Sequence, residues 1–198
     1  MPDVLVLHAS KMGATREIAE VVAEEIRASG LGVTVGAAAD LPDPSDYRVV
    51  VLGSALYLRR WRRDAVRYLR SYRDALLVRE VWLFQAGPCG ENAARSDMPV
   101  PSSVRRLAAR IEAPLPVTFG GRLDPRHATG FLTRWVAAST ELRGDFRDWT
   151  AIRTWARCIA DGLTGDAAPT ERPGPLPDRL GENDRDGAAA YTKPAGAE

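Results

Sequence analysis

Apolar and polar positions along this chain fall into two alternating regimes. Residues 3–8, 32–36, 48–53, 78–85 and 115–121 form short runs dominated by valine, leucine and aromatic residues, the pattern of strands covered on both faces. Between them the apolar spacing becomes helical. Ile18, Val21, Val22 and Ile26 stand at i, i+3, i+4 and i+8, which predicts an amphipathic helix over 14–29, closed by Gly30. Residues 64–77 repeat the pattern through Ala65, Tyr68, Leu69, Tyr72 and Leu76, and a shorter helix over 104–111 turns Leu107, Ala108 and Ile111 inward. A last helix starts at Asp148, a suitable N-cap, and runs through Ile152, Trp155 and Ile159 to Gly162. Strands joined by helical crossovers predict an α/β fold: an open, doubly wound, five-stranded parallel sheet with helices on both faces and right-handed connections.

The pattern fades near residue 165. Residues 165–198 hold five glycines, five prolines and few large apolar groups, too little to offset the entropy of ordering the backbone. The expectation is one domain over 1–164 and a disordered or loosely docked tail over 165–198. No internal repeat is visible, and with 45% apolar residues in 198 the chain can bury a full core. No apolar run approaches the roughly 18 residues of a membrane-spanning helix, and no basic stretch leads into an apolar one near Met1. That leaves only peripheral membrane contact open.

Charge narrows the function classes. The formal net charge is +1, which argues against a nucleic-acid binder; the tail carries seven acids against four bases, so the body is mildly basic. Arginine outnumbers lysine 25 to 2, a bias that with abundant alanine reads as genomic composition, so an arginine cluster alone is a weak signal. Cys89 and Cys158 offer neither zinc-ligand spacing nor a disulfide framework, and only His8 and His127 remain for metal or acid–base work. No metal site is expected, and a reducing cytoplasm is the default location.

In an open α/β sheet the ligand crevice lies outside the C-terminal strand ends. The first such loop reads His8-Ala9-Ser10-Lys11-Met12-Gly13-Ala14-Thr15 and leads into the first helix. Two hydroxyls, a glycine and a helix N-terminus can wrap an oxyanion, although serine and threonine there are also ordinary capping residues. The nucleoside-triphosphate loop G-x-x-x-x-G-K-[ST] and the dinucleotide fingerprint G-x-G-x-x-G are both absent. Two further loops face the same crevice: Gly53-Ser54-Ala55-Leu56-Tyr57 after the third strand, and Gln85-Ala86-Gly87-Pro88-Cys89-Gly90 after the fourth. Backbone amides, small residues and one aromatic ring suit a flat heterocycle.

With these residues on the page, the chain resembles the flavodoxin-like FMN-binding family. Ser10 to Thr15 matches that family's S/T-x-T-G-x-T loop, with Met12 where threonine is common. The resemblance implies the strand order 2-1-3-4-5 and FMN as cofactor. It places Ser10, Lys11, Met12, Gly13, Ala14 and Thr15 around the phosphate. Ser54, Ala55, Leu56 and Tyr57, with Gln85, Ala86, Gly87, Pro88, Cys89 and Gly90, would flank the isoalloxazine, with Tyr57 or Trp61 stacking on it. A narrower resemblance, to the flavodoxin-fold menaquinone-dependent protoporphyrinogen dehydrogenase group, rests on Thr15-Arg16-Glu17-Ile18-Ala19, on Gly120-Gly121-Arg122-Leu123 and on Asp148-Trp149-Thr150. The segment 128–143 stands where that group carries a helical insertion, and here it is short and only partly apolar.

With a flavin bound, redox chemistry belongs to the ring, so no catalytic side chain is expected. His8 reads as a structural histidine or one that tunes the flavin, and Cys89 as a loop residue or a thiol near the ring. Arg59, Arg60, Arg62 and Arg63, with Trp61 among them, read either as a solvated helix start or as a basic, aromatic rim that binds a flat acidic substrate. The function implied is an FMN-dependent oxidoreductase acting on a porphyrinogen-like substrate with a quinone as acceptor. The alternative is a one-electron carrier that serves redox protein partners. A phosphoacceptor receiver of the same topology lacks its acidic residues, since His8, Ala9, Gly53 and Ser54 stand at those strand ends.

Overall fold

A computed structural model describes residues 3–87, 98–123 and 144–165. The elements run β1 (Val4–Ala9), α1 (Ala14–Ala28), β2 (Val33–Ala37), β3 (Val49–Tyr57), β4 (Arg60–Trp61), α2 (Arg63–Ser71), α3 (Arg73–Leu77) and β5 (Glu80–Ala86). Then follow α4 (Ser102–Arg110), β6 (Val117–Phe119), β7 (Arg122–Leu123), β8 (Gly144–Asp145) and α5 (Trp149–Thr164). The main sheet has the order β2-β1-β3-β5-β6, with every neighbouring pair parallel. This is the expected doubly wound order, with the short β4 added as an antiparallel appendage of β3.

Alternation along the strands explains the two layers of core. Val4 and Val6 of β1, Val49 and Val51 of β3 and Trp82 and Phe84 of β5 face α1 and α5. Their neighbours Leu5, Leu7, Val50, Leu52, Val81 and Leu83 face α2 and α4 on the other side. Trp155 of α5 meets Trp82, Phe84 and Phe119 edge-on, with centroids 5.6–6.3 Å apart. Burying one such side chain contributes about 1.5–3 kcal/mol, so both helical layers are held chiefly by this surface. Glu25 of α1 accepts from Arg153 and Arg157 of α5 and fastens the two helices at their outer edge.

Three expectations change. The third strand does not end at Gly53 but continues to Tyr57 and turns back, because Leu56 and Tyr57 pair with Trp61 and Arg60. The expected helix over 64–77 divides at Tyr72, whose backbone leaves helical geometry while its hydroxyl donates to the Leu41 carbonyl at 2.7 Å. The strands before the last two loops start later than their apolar runs, at Glu80 and Val117, since Val78 and Leu115 are exposed. Asp148 caps α5 as expected, its carboxylate accepting from the Ala151 amide at 2.9 Å. Among the described residues no helix is long and apolar enough to cross a membrane. His127, the segment 128–143 and the expected tail beyond Gly165 lie outside the described residues.

Candidate functional site

The loop between β1 and α1 leaves several hydrogen-bond donors without acceptors. Gly13 takes φ 85°, a left-handed conformation that a β-branched residue resists, and this turns the chain into the helix. Its amide donates to Ser10 Oγ at 3.0 Å, and its carbonyl accepts the first helical bond from Glu17. The backbone N–H groups of Ala14, Thr15 and Arg16 find no acceptor among the described residues. Thr15 is 1% exposed, and its Oγ1 is buried without a partner. Orphaned buried hydroxyls are rare in folded proteins, and three amides beside one at the positive end of a helix form a site for an anion.

Four charged groups stand against the first turn of α1. Arg122 donates to both carboxylate oxygens of Glu17, at 2.9 and 2.7 Å. Arg147, with a side chain 2% exposed, donates to Glu17 Oε2 at 2.7 Å and grips Asp145 through Nε and Nη2. Its guanidinium also lies 4.3 Å from the ring centroid of Trp149. Burial raises the Glu17 pKa, but the Arg147 hydrogen bond and the charges of Arg147 and Arg122 outweigh it and hold the carboxyl below the usual range. The Arg147 hydrogen bond likewise holds Asp145 low. The one-dimensional pattern gave no hint of this network, because Arg122 and Arg147 follow Glu17 by 105 and 130 residues.

The loops after β3 and β5 are arranged differently. Leu58 and Arg59 form the tip of the β3–β4 hairpin with φ 48° and 58°, as a type I′ turn requires, but without the glycine or asparagine that normally occupies it. Each such residue costs about 1–2 kcal/mol, so the surrounding structure must hold the turn. Ser54 Oγ accepts from the Arg62 amide at 3.0 Å. Trp61 Nε1 donates to Gln85 Oε1 at 3.0 Å, and Gln85 Nε2 donates to Thr118 at 3.0 Å. Ser54 and Gln85 are fully buried and Trp61 is 5% exposed. The expected rim position of Trp61 is therefore corrected: its ring sits in the core beneath the hairpin, because its apolar area and its single donor both find partners there.

Other expected site residues remain at the surface or at its edge. Ala55, Leu56 and Tyr57 are half-buried, and Lys11 Nζ lies 5.3 Å from the Tyr57 ring centroid, which joins the first two loops. Gly87 ends β5 at φ 107° with its amide on the Phe119 carbonyl, and Ala86 is buried beside it. Pro88, Cys89 and Gly90 lie outside the described residues. Arg59, Arg60 and Arg63 are exposed and form no ion pair with another described residue, whereas Arg62 is half-buried with an unpartnered Nε. Burial and the Arg16 charge lower the pKa of His8 against the opposing charges of Glu20 and Asp40. No cluster able to hold a metal ion occurs among the described residues.

Comparison with known proteins gives a consistent picture. The family model described as a flavodoxin domain matches residues 5–138. No curated protein matches the chain by sequence. Among solved structures, oxidised flavodoxin 2 from Bacillus cereus is similar with TM-score 0.54 and 16% identity, over 82% of this chain and 99% of that one. A flavodoxin from the domain Archaea gives TM-score 0.51 at 11% identity, with the same coverage. Rubredoxin oxygen:oxidoreductase from Desulfovibrio gigas gives TM-score 0.55 at 14% identity over 82% of this chain, which spans only 36% of that protein. At these identities the structural likeness establishes the fold.

Proposed function

The chain belongs to the flavodoxin domain family, and on that premise we propose that it binds FMN and works as an FMN-dependent oxidoreductase. The observation that carries the reading is the orphaned Thr15 hydroxyl beside the three free amides of Ala14, Thr15 and Arg16, a set of donors that a phosphate would satisfy. When bound, the flavin supplies the electron and hydride chemistry. The chain's own residues then bind and orient. Ser10, whose Oγ already accepts from Gly13, has its hydroxyl proton to give; Gly13 shapes the turn; Tyr57 and Ala55 border the ring position; and Gln85 holds the hairpin through Trp61.

The substrate reading is finer and rests on the hairpin. Arg59 stands at the tip of the hairpin turn, Arg60 follows it in β4 and Arg63 opens α2, so three cations that form no ion pair with another described residue stand beside these loops. This supports a flat substrate bearing carboxylates, such as a propionate-bearing porphyrinogen, with a quinone accepting the electrons. The sequence features around Thr15, Gly120 and Asp148 support the same reading. A one-electron carrier is the second reading, favoured by the flavodoxins among the structural relatives.

Chromatography of flavin extracted from the native protein, together with fluorescence quenching of added FMN by stripped protein, tests the cofactor. Yellow protein that releases FMN is expected; colourless protein that fails to quench FMN refutes the proposal. Direct reoxidation of the reduced protein by a soluble quinone, at a rate that saturates with quinone, is the enzyme's expected behaviour. Reoxidation only by an electron-transfer protein would favour the carrier.

A further inference from the structure

We propose that Arg122 is the cation that meets the ligand's phosphate at the 10–15 loop, so that the site selects a phosphorylated flavin over the same ring without phosphate by charge as well as by hydrogen bonding. The inference rests on the reading of this loop as a flavin phosphate site. It begins from the fixed position of the guanidinium. Both Nη atoms of Arg122 hold Glu17, and Nη2 stands 3.9 Å from where a Cβ on Gly13 would be, so the group ends against the turn of the loop. Its backbone is fixed too, because Arg122 pairs with Asp145 across β7 and β8.

The donor count leaves capacity for a ligand. A guanidinium carries five N–H groups, and Arg122 gives two to Glu17 and none to any other described residue. The remaining donors are left for an anion without breaking the pair, and its side chain is 26% exposed. Neighbouring cations are already committed. Arg147 is buried, with its donors on Asp145, Glu17 and the Ala14 carbonyl. Arg16 is exposed and pairs with Glu20, and Lys11 leans over Tyr57 toward the ring side. The two arginines and two acids of the network cancel in charge, so the loop's amides and hydroxyls face no net repulsion. A doubly charged phosphate placed there would still lie close to Glu17, and Arg122 is the group positioned to offset that carboxylate.

The test compares FMN with riboflavin, which keeps the ring and lacks the phosphate. Affinities of the flavin-stripped full chain for each are read by fluorescence quenching at low and high salt. In Arg122→Gln, FMN affinity should fall about tenfold or more, the size of a charge-assisted hydrogen bond, while riboflavin affinity stays as in the parent. High salt should reduce the parent's preference for FMN and leave that of the variant nearly flat. Glu17→Gln dissolves the same ion pair but keeps the cation, so it should retain the preference. An FMN-to-riboflavin ratio in Arg122→Gln equal to that of the parent overturns the inference, as does an equal loss in both variants, which would mark the pair as a structural brace only. A parent chain that binds neither flavin overturns the reading of the site itself.

Discussion

The loop into α1 and the β3–β4 hairpin stand at neighbouring strand ends, yet they use their polar groups in opposite ways. In the loop, three amides and the Thr15 hydroxyl have no acceptor among the described residues, and the Gly13 amide donates to Ser10 Oγ within the turn. At the hairpin, the buried Ser54 hydroxyl accepts from the Arg62 amide, the Trp61 indole donates to Gln85 of β5, and Gln85 in turn donates to Thr118 of β6. A polar group inside a protein contributes net stability only when paired, so the hairpin is a stabilised scaffold and the loop carries a deficit that a ligand would remove. The same residue types near strand ends thus serve the fold in one region and, on the proposed reading, a ligand in the other.

The largest effect should come from treating the hairpin as a site. Trp61→Ala removes a buried ring and strands Gln85 Oε1, a change worth about 3–5 kcal/mol and a fall of roughly 10 °C in melting temperature. An unchanged melting temperature together with lost flavin quenching would return Trp61 to the ring and erase the contrast. Gly13→Val should cost less stability, about 1–2 kcal/mol for a side chain forced to φ 85°, and yet abolish most FMN binding. Gly30 provides the internal control, since it has φ 83° at the far end of α1 with open space around it. Gly30→Val should lose comparable stability, measured by denaturant, and leave flavin affinity intact.

That contrast also marks where the sequence was readable. The two-faced parallel sheet and the N-cap of α5 follow from local period and capping chemistry, which act over a few residues, whereas the strand order came only with the family resemblance. The turn into α1 was legible for the same reason: Ser10, Gly13 and Thr15 lie within six consecutive residues, and the Gly13 amide donates to Ser10 Oγ. The hairpin was not, because Leu58 and Arg59 carry none of the usual turn signal, and Trp61 at its base is tied to Gln85, which lies in another part of the chain. Trp61 looked like a stacking residue among arginines until the pairing of β4 with β3 turned it inward. The network of Glu17, Arg122, Asp145 and Arg147 joins three distant segments, and no spacing rule relates them.

A gentler probe of the loop separates ligand from fold within a single residue. Thr15→Val keeps the shape of a side chain that is fully buried and removes a hydroxyl that has no partner. Apo-protein stability should therefore stay level or rise by up to about 1 kcal/mol, since a desolvated, unpaired group is lost. FMN affinity should fall several-fold in the same variant, with riboflavin affinity unaffected. Loss of apo stability on this change would show that the hydroxyl is paired within the fold, and the loop would then differ little from the hairpin.

The smallest effect concerns the outer surface of the hairpin, where the two regions would meet a substrate. Arg59 and Arg60 are exposed and unpaired among the described residues, so Arg59→Gln with Arg60→Gln should change neither melting temperature nor FMN affinity. If these side chains receive carboxylates, KM for a propionate-bearing porphyrinogen should rise roughly three- to tenfold at low ionic strength, with kcat little altered, because contacts between exposed charges are weak and are made equally in ground and transition states. Added salt should shrink the difference, since screening acts on the parent and leaves the double variant nearly unaffected. Kinetics that match the parent at low salt would confine the hairpin to a scaffold on its outer face as well as its inner one, and the carrier would become the better reading. A rise in KM that persists at high salt would instead place the two arginines in desolvated contact with the substrate, closer to the ring than their exposure in the free protein indicates.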